Sequence, residues 1–160
     1  ELKDVISSGR FTVSVSPESY EEFDAIIVAL PTPSNPKTNL PDTSILEDAF
    51  RNIYKKCKSS TLFVFESTVQ VNFTASLIET TTSETGVEKD CFYCFSPERV
   101  DPGNKNYQLS EIPKIIAGDT KMSVDLLSAF YSHFFDHLEV ASSIAAAEFT
   151  KLFENVHRAV

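Results

Sequence analysis

The feature that most constrains the fold is a regular alternation of short apolar runs with longer amphipathic segments. Asp24–Leu30 and Leu62–Phe65 have the length and composition of buried strands, whereas Thr43–Cys57 carries its apolar residues at the i, i+3/i+4 spacing of a helix. We predict further strands at Phe11–Val15, Cys91–Phe95, Pro113–Ala117 and Leu138–Val140. We predict further helices at Val69–Thr80, Lys121–Phe135 and from Ser143 onward, with Thr120 or Asp119 as the N-cap of the second. Strands separated by helices indicate an α/β fold, a mostly parallel sheet with helices on both faces.

Composition excludes several classes of protein. The chain has 160 residues, 42% hydrophobic and 23% charged, which suits one ordinary globular domain. The net charge is -9 without a basic stripe, so we expect no nucleic-acid partner. No apolar run approaches the roughly 18 residues of a membrane helix, so we expect no membrane partner. Three cysteines, an odd number, argue against a disulfide framework, and we expect a cytoplasmic protein.

Both ends of the chain fall inside helical patterns. Glu1–Ser8 resembles the end of a helix or turn, and His157–Val160 continues the last helix without a glycine or proline to stop it. We therefore expect this chain to belong to a longer protein.

Ligands bind at the carboxyl ends of strands in such sheets, so the segments after the strands are the candidate sites. The two prolines of Pro31-Thr32-Pro33 predict a rigid loop at the edge of the sheet, where Thr32 offers a hydroxyl. An ordinary exit from a strand, with no binding role, has the same pattern. Ser67 and Thr68 stand where a strand leads to a helix. Hydroxyls and N–H groups there can hold a phosphate, ribose or carboxamide, and a plain helix N-cap is the alternative.

The third such segment, Ser96–Asn104, joins an acid and a guanidinium in a loop stiffened by proline and glycine. Arg99 offers a planar donor fork for phosphate or carboxylate, and Glu98 is a candidate general base for water. A surface turn with an incidental ion pair is the alternative.

In the last helix, Lys151 and Asn155 are one turn apart, with Glu148 and Arg158 beside them. Both can donate to a developing oxyanion or to a substrate hydroxyl. The alternative is a solvated face of an amphipathic helix. The apolar residues predicted to share another face of this helix are Phe149, Leu152, Phe153, Val156 and Val160.

Two further patterns have a weaker interpretation. Cys91 and Cys94 have CxxC spacing, but on a strand their side chains point to opposite faces, which disfavours a redox or zinc site. His133 and His137 are one helical turn apart, and the sequence offers no third ligand beside them.

Taken in order, five segments resemble the UDP-glucose/GDP-mannose dehydrogenase family, most closely its branch that acts on UDP-N-acetyl-hexosamines. They are PTPSNPKTNLPD, ESTV, FSPERVDPGN, IPKIIAGD and AAEFTKLFENVHRAV. The resemblance implies the second half of a Rossmann-like NAD-binding domain at residues 1–142, followed at 143–160 by the start of a long central helix. It also implies a parent enzyme that forms a homodimer or a higher homo-oligomer.

Members of this family use NAD to oxidise the C6 alcohol of the sugar to a carboxylate, by way of a thioester on a cysteine. The resemblance implies that Thr32 and Pro33 edge the NAD site and that Ser67 and Thr68 lie near its nicotinamide half, Thr68 also near the reacting oxygen. It implies that Glu98 activates water, and that Lys151 and Asn155 stabilise charge on the C6 oxygen. The residues implied to contact the UDP-sugar are Glu98, Arg99, Val100, Pro102, Lys151, Asn155 and Arg158.

The chain also departs from the family. Its four glycines, at positions 9, 86, 103 and 118, cannot form the GxGxxG phosphate loop, and none of its cysteines matches the nucleophile. Pro102 stands where the glucose branch has a second acid, which favours the N-acetyl-hexosamine branch. We therefore expect this chain alone to be inactive. A β-hydroxyacid dehydrogenase, which also uses Lys and Asn one turn apart, and a non-catalytic binding or structural remnant of the fold stay open as alternatives.

Overall fold

A computed structural model of the chain describes residues 2–15, 20–38, 40–99 and 112–159, apart from the side chains of Leu2, Arg158 and Ala159. The helices in this part are α1 (Leu2–Ser7), α2 (Ser44–Lys56), α3 (Phe73–Thr85), α4 (Lys121–Tyr131) and α5 (Ile144–Ala159). The strands are β1 (Ala25–Val28), β2 (Leu62–Phe65), β3 (Phe92–Phe95), β4 (Lys114–Gly118) and β5 (Leu138–Val140).

The strands form one sheet in the order β1-β2-β3-β4-β5. The first three are parallel, β4 runs antiparallel to β3, and β5 is parallel to β4. The carboxyl ends of β1, β2 and β3 therefore share one edge with the amino ends of β4 and β5, and we call this edge the rim. In the antiparallel ladder Phe95 faces Ala117, which brings Lys114 toward the loop that follows β3.

Helices cover both faces of the sheet, as predicted. On one face α2, α3 and α5 pack on a core centred on Phe50, whose ring centroid lies 5.2 Å from those of both Phe63 and Phe65. On the other face α4 packs Leu127 against Val64 and Ile116. The α/β, mostly parallel fold class is confirmed. In the described part of the chain, no helix has the length and apolar character needed to cross a membrane.

The side chains of Cys91 and Cys94 belong to opposite cores, as their strand spacing predicts. Thr120 is the N-cap of α4, because its Oγ1 accepts a hydrogen bond from the N–H of Ser123 at 3.1 Å.

Two strand predictions are corrected. Phe11–Val15 forms no strand; Val13 and Val15 are fully or nearly fully exposed, so alternation alone, without a neighbouring strand, does not produce one. Ile27 is 46% exposed whereas Val28 is 3% exposed, so β1 is not buried on both faces. β1 also lies at the end of the strand order.

Helix ends also differ from prediction. α3 begins at Phe73 rather than Val69, because Asn72 has a left-handed backbone (φ 68°) that no helix can pass through. It continues beyond the predicted end at Thr80 and stops at Thr85, followed by Gly86 at φ 62°. α4 ends at Tyr131 instead of Phe135.

Candidate functional site

At the rim, the loops after β1 and β2 are tied to each other by their hydroxyl groups. The Thr32 hydroxyl donates to the carbonyl of Thr68 at 2.7 Å. The Ser67 hydroxyl donates to the carbonyl of Leu30 at 2.8 Å and accepts from the N–H of the same residue at 2.9 Å. The two candidate cofactor loops are therefore held side by side.

This arrangement changes how Ser67 and Thr68 are interpreted. Ser67 is only 6% exposed, and its hydroxyl already forms hydrogen bonds with the neighbouring loop. The N-cap alternative is wrong, because α3 begins later, at Phe73. Thr68 is half-buried and Pro33 is exposed, so these two residues offer surface at the rim.

The start of α3 is occupied by an acid from α5. Glu148, 0% exposed, accepts hydrogen bonds from the backbone N–H groups of Asn72 at 2.6 Å and of Thr74 at 2.9 Å. A carboxylate at a helix N-terminus satisfies free amides and is favoured by the helix dipole. These amides are consequently not open to a phosphate.

The loop after β3 meets α5 at the rim. The Lys151 ammonium donates a hydrogen bond to the backbone carbonyl of Glu98. Lys151 is 9% exposed, so the solvated-face alternative is wrong for this residue, whereas Asn155, one turn further, is exposed. The Glu98 side chain is 51% exposed. The structure thus brings Glu98 and Lys151 together, while their chemical roles stay predictions.

Arg99 forms a second link between this loop and α5. Its Nε and Nη2 lie 2.8 and 2.6 Å from Glu154 Oε1, and its Nη1 donates to the carbonyl of Pro113 at 2.8 Å. This ion pair joins segments 55 positions apart, so it is not the local pair of a surface turn. Arg99 and Glu154 lie on the wall of a cavity of about 410 Å³. Its other lining residues are Ile112, Phe153 and His157.

Lys114 is the main feature of the rim that the sequence analysis missed. It is 4% exposed, and its Nζ lies 3.0 Å from Glu66 Oε1 and 3.9 Å from Glu98 Oε2. The Tyr131 hydroxyl donates to the same Glu66 oxygen, and the rings of Tyr131 and Phe135 lie 5.5 and 5.4 Å from the ammonium. Burial, and then this hydrogen bond, raise the pKa of Tyr131 well above its ordinary value. The sequence pattern that could have identified Lys114 is a lysine at the first position of a strand whose other residues are apolar.

Helix α5 buries polar residues and exposes apolar ones. Phe149 and Phe153 stack with ring centroids 6.2 Å apart, which fits the predicted shared face, but they are 57% and 59% exposed. Among the side chains of α5 that the structure describes, the buried ones are Ala147, Glu148 and Lys151. The amphipathic pattern therefore predicted the helix but not the direction in which it faces.

Two of the three buried cysteines, Cys91 and Cys94, are poorly suited to act as nucleophiles. Burial raises the pKa of the Cys91 thiol to about 11 and that of the Cys94 thiol to about 12. Such thiols stay protonated at neutral pH, and the thiolate is the nucleophilic form. In the described ranges no group of three or more His, Cys, Asp or Glu side chains is arranged to hold a metal ion. Val100 and Pro102 lie outside the described residues, as does the side chain of Arg158.

Comparison with known proteins gives a consistent result. Residues 1–135 match the model of the UDP-glucose/GDP-mannose dehydrogenase family, NAD binding domain. The chain is 32% identical over 161 residues to UDP-N-acetyl-D-mannosamine dehydrogenase from Methanococcus aeolicus, covering 99% of this chain and 36% of that protein. It is 31% identical over 162 residues to UDP-N-acetyl-D-glucosamine 6-dehydrogenase from Pseudomonas aeruginosa, with 99% and 37% covered.

Among solved structures, the UDP-D-ManNAc dehydrogenase from Pyrococcus horikoshii superimposes with a TM-score of 0.86 at 28% identity, covering 98% of this chain and 38% of that one. A 3-hydroxyisobutyrate dehydrogenase from Mycobacterium tuberculosis, at 16% identity and a TM-score of 0.64, shares the fold alone. The chain spans little more than a third of the length of the curated relatives, 36% of the first and 37% of the second.

Proposed function

Because the chain belongs to the UDP-glucose/GDP-mannose dehydrogenase family, we propose that it is part of an NAD-dependent UDP-N-acetyl-hexosamine 6-dehydrogenase. The parent enzyme would oxidise the C6 alcohol of the sugar to a carboxylate. The observation that carries this proposal is the meeting of the Glu98 loop with Lys151 of α5 at the rim. The relatives named for UDP-N-acetyl-D-mannosamine and UDP-N-acetyl-D-glucosamine support the choice of branch. Pro102, at the position of the second acid, supports it as well.

The matched family model is that of an NAD-binding domain, and we propose that one part of the NAD lies at the rim. The loops at Thr32-Pro33 and Ser67-Thr68 are fixed against each other by hydrogen bonds, which leaves a stiff edge at the carboxyl ends of β1 and β2. We propose that Pro33 and Thr68 bound the nicotinamide side, with Thr32 and Ser67 holding the loops in place. The pyrophosphate needs a glycine-rich loop, which this sequence does not contain.

When bound, NAD supplies a hydride acceptor next to the sugar, and the residues of this chain supply orientation and charge. The ammonium of Lys151 is held at the rim and provides a positive charge for an alkoxide oxygen as it develops. Asn155, one turn further, provides an amide N–H donor on the same side of α5. Glu98, half exposed, presents a carboxylate that can take a proton from water.

The pocket for the UDP-sugar would lie between α5 and the end of the described segment at Glu98 and Arg99. Arg99 lies on the wall of the 410 Å³ cavity with its guanidinium already bonded to Glu154. A planar guanidinium has donors on several edges, so Arg99 can contact a diphosphate while it keeps this ion pair. Val100, Pro102 and Arg158 complete the proposed contacts.

Product formation in the longer protein that contains this chain tests the proposal. UDP-N-acetylglucosamine, UDP-N-acetylmannosamine, UDP-N-acetylgalactosamine, UDP-glucose and a β-hydroxyacid are each incubated with NAD, and NADH and the oxidised product are measured. We expect turnover with at least one N-acetyl-hexosamine and far less with UDP-glucose. Turnover with UDP-glucose alone, or with a β-hydroxyacid instead, would contradict the proposal. The 160-residue chain by itself should produce no NADH with any of them.

We also propose the organisation and setting of the parent protein. Residues 1–142 would form the NAD-binding part and 143–160 the start of a central helix. The parent would be a homodimer or higher homo-oligomer, supported by the exposed aromatic residues Phe149 and Phe153 on α5. A cytoplasmic location is supported by three cysteines that are all free thiols. Light scattering of the longer protein measures its assembly state.

A further inference from the structure

Lys114 is a buried cation in a strand whose other residues are apolar. Its side chain is 4% exposed, and the strand continues as Ile115, Ile116 and Ala117. Removing an ammonium group from water is unfavourable unless opposite charges compensate for it. The compensating groups lie at the rim, next to the proposed catalytic acid.

The ammonium is fixed chiefly by Glu66. The distance from Lys114 Nζ to Glu66 Oε1 is 3.0 Å, and the Glu66 side chain is 18% exposed. Tyr131 donates its hydroxyl hydrogen to the same oxygen, and two aromatic rings face the ammonium at about 5.5 Å. Cations are attracted to the faces of aromatic rings at this distance. The Lys114 ammonium is thus held in place by Glu66 and by the two aromatic rings.

Glu98 is the second and more weakly held acid. Its Oε2 lies 3.9 Å from Lys114 Nζ, and its side chain is 51% exposed. Its backbone carbonyl accepts a hydrogen bond from Lys151. Glu98 is therefore in contact with a cation at both its main chain and its carboxylate, while the carboxylate still reaches solvent.

We propose that Lys114 is a positioning residue for Glu98: an ammonium anchored on Glu66 restricts where the half-exposed Glu98 carboxylate can lie at the rim. The two acids then have different tasks. Glu66 balances the buried charge, and Glu98 keeps a carboxylate that is in contact with both the ammonium and solvent. The catalytic consequence rests on the function proposed above, whereas the contact itself does not.

The contact is tested on the 160-residue chain by NMR of ¹⁵N-labelled lysine ammonium groups. Glu98→Gln removes the negative charge and should shift the Lys114 Nζ resonance. Asp125→Asn is the matched control, because Asp125 pairs with exposed Lys121 at 2.5 Å; it should shift Lys121 and leave Lys114 in place. A Lys114 resonance that stays within its linewidth in Glu98→Gln would overturn the proposal. Lys114 is intact in both variants, so folding of a Lys114 variant is not required.

The consequence is tested by kinetics of the longer protein. Lys114→Met should lower kcat by roughly 10²-fold, the effect of misplacing a reacting group by about 1 Å, with little change in KM for the UDP-sugar. Lys114→Arg should restore most of the rate, because it keeps the charge. An unchanged kcat in Lys114→Met, or no recovery in Lys114→Arg, would overturn the positioning role. A wild-type protein without turnover would instead refute the proposed function and leave the NMR result standing.

Discussion

Replacing Glu148 by glutamine should destabilise the chain more than any other single carboxylate-to-amide change on α3 or α5. The buried carboxylate accepts two backbone N–H groups, at 2.6 and 2.9 Å. A hydrogen bond to a charged group contributes about 1.5–3 kcal/mol, and a neutral one about 1 kcal/mol. Glutamine has one acceptor oxygen, so one bond becomes neutral and the other N–H faces an NH₂ group. We expect the free energy of unfolding to fall by about 2–4 kcal/mol.

Urea unfolding followed by circular dichroism measures this loss. Glu79→Gln is the matched control, because Glu79 is exposed on α3, the helix that Glu148 caps; such a surface change costs within about 0.5 kcal/mol. Hydrogen exchange at the amides of Asn72 and Thr74 should accelerate by a larger factor than the overall loss of stability accounts for. A Glu148→Gln chain as stable as the control, or without this local acceleration, would refute the argument that Glu148 holds the start of α3.

Three further results are expected. In the longer protein, Lys151→Ala should lower kcat by about 10²–10³-fold, since it removes an oxyanion donor, with little effect on KM; equal losses in both would reduce Lys151 to a binding role. Phe50→Ala should cost about 3–5 kcal/mol in urea unfolding because Phe50 is fully buried, and a loss as small as that of exposed Phe149→Ala would contradict the packing. Burial raises the pKa of the Cys91 thiol from its ordinary value of 9.0 to about 11. Between these two pH values the folded chain keeps a proton that the unfolded chain loses, so the free energy of unfolding should fall as pH rises from about 9 to 11. Cys91→Ala should make this fall less steep, and an unchanged dependence of stability on pH would contradict the prediction.

Local pattern was sufficient for most of the fold. Short apolar runs such as Leu62–Phe65 and helical stripes such as that of α2 predict their elements because periodicity reflects which side chains face a core. Prediction failed at Phe11–Val15, where alternation has no partner strand, and at Asn72, whose left-handed backbone delays α3. The first failure reflects a missing tertiary contact, and the second reflects a single backbone angle. A pattern of apolar residues shows neither of these.

The site was predicted less completely than the fold. The prediction that loops after strands share one edge of the sheet placed Thr32, Thr68 and Glu98 correctly at the rim, while their functional roles stay predictions. The sequence could not show that Glu148 reaches an amide 74 positions away, or that Lys114 faces Glu98 across an antiparallel ladder. Long-range polar contacts carry no local periodicity. The residues that hold this site together were therefore found only when the sheet order was known.

The central claim is that the β3 loop and α5 together form the UDP-sugar pocket. Hydrogen–deuterium exchange of the longer protein, with and without UDP-N-acetylglucosamine, tests it most directly, because it reports where the ligand slows exchange. We predict slower exchange at residues 96–99 and in the second half of α5 around Lys151 and Asn155. We predict no slowing in the first two turns of α4, which lie on the opposite face of the sheet and precede Tyr131, the residue of α4 that reaches the rim. Slowing confined to α4, or located anywhere other than the rim, would contradict the account.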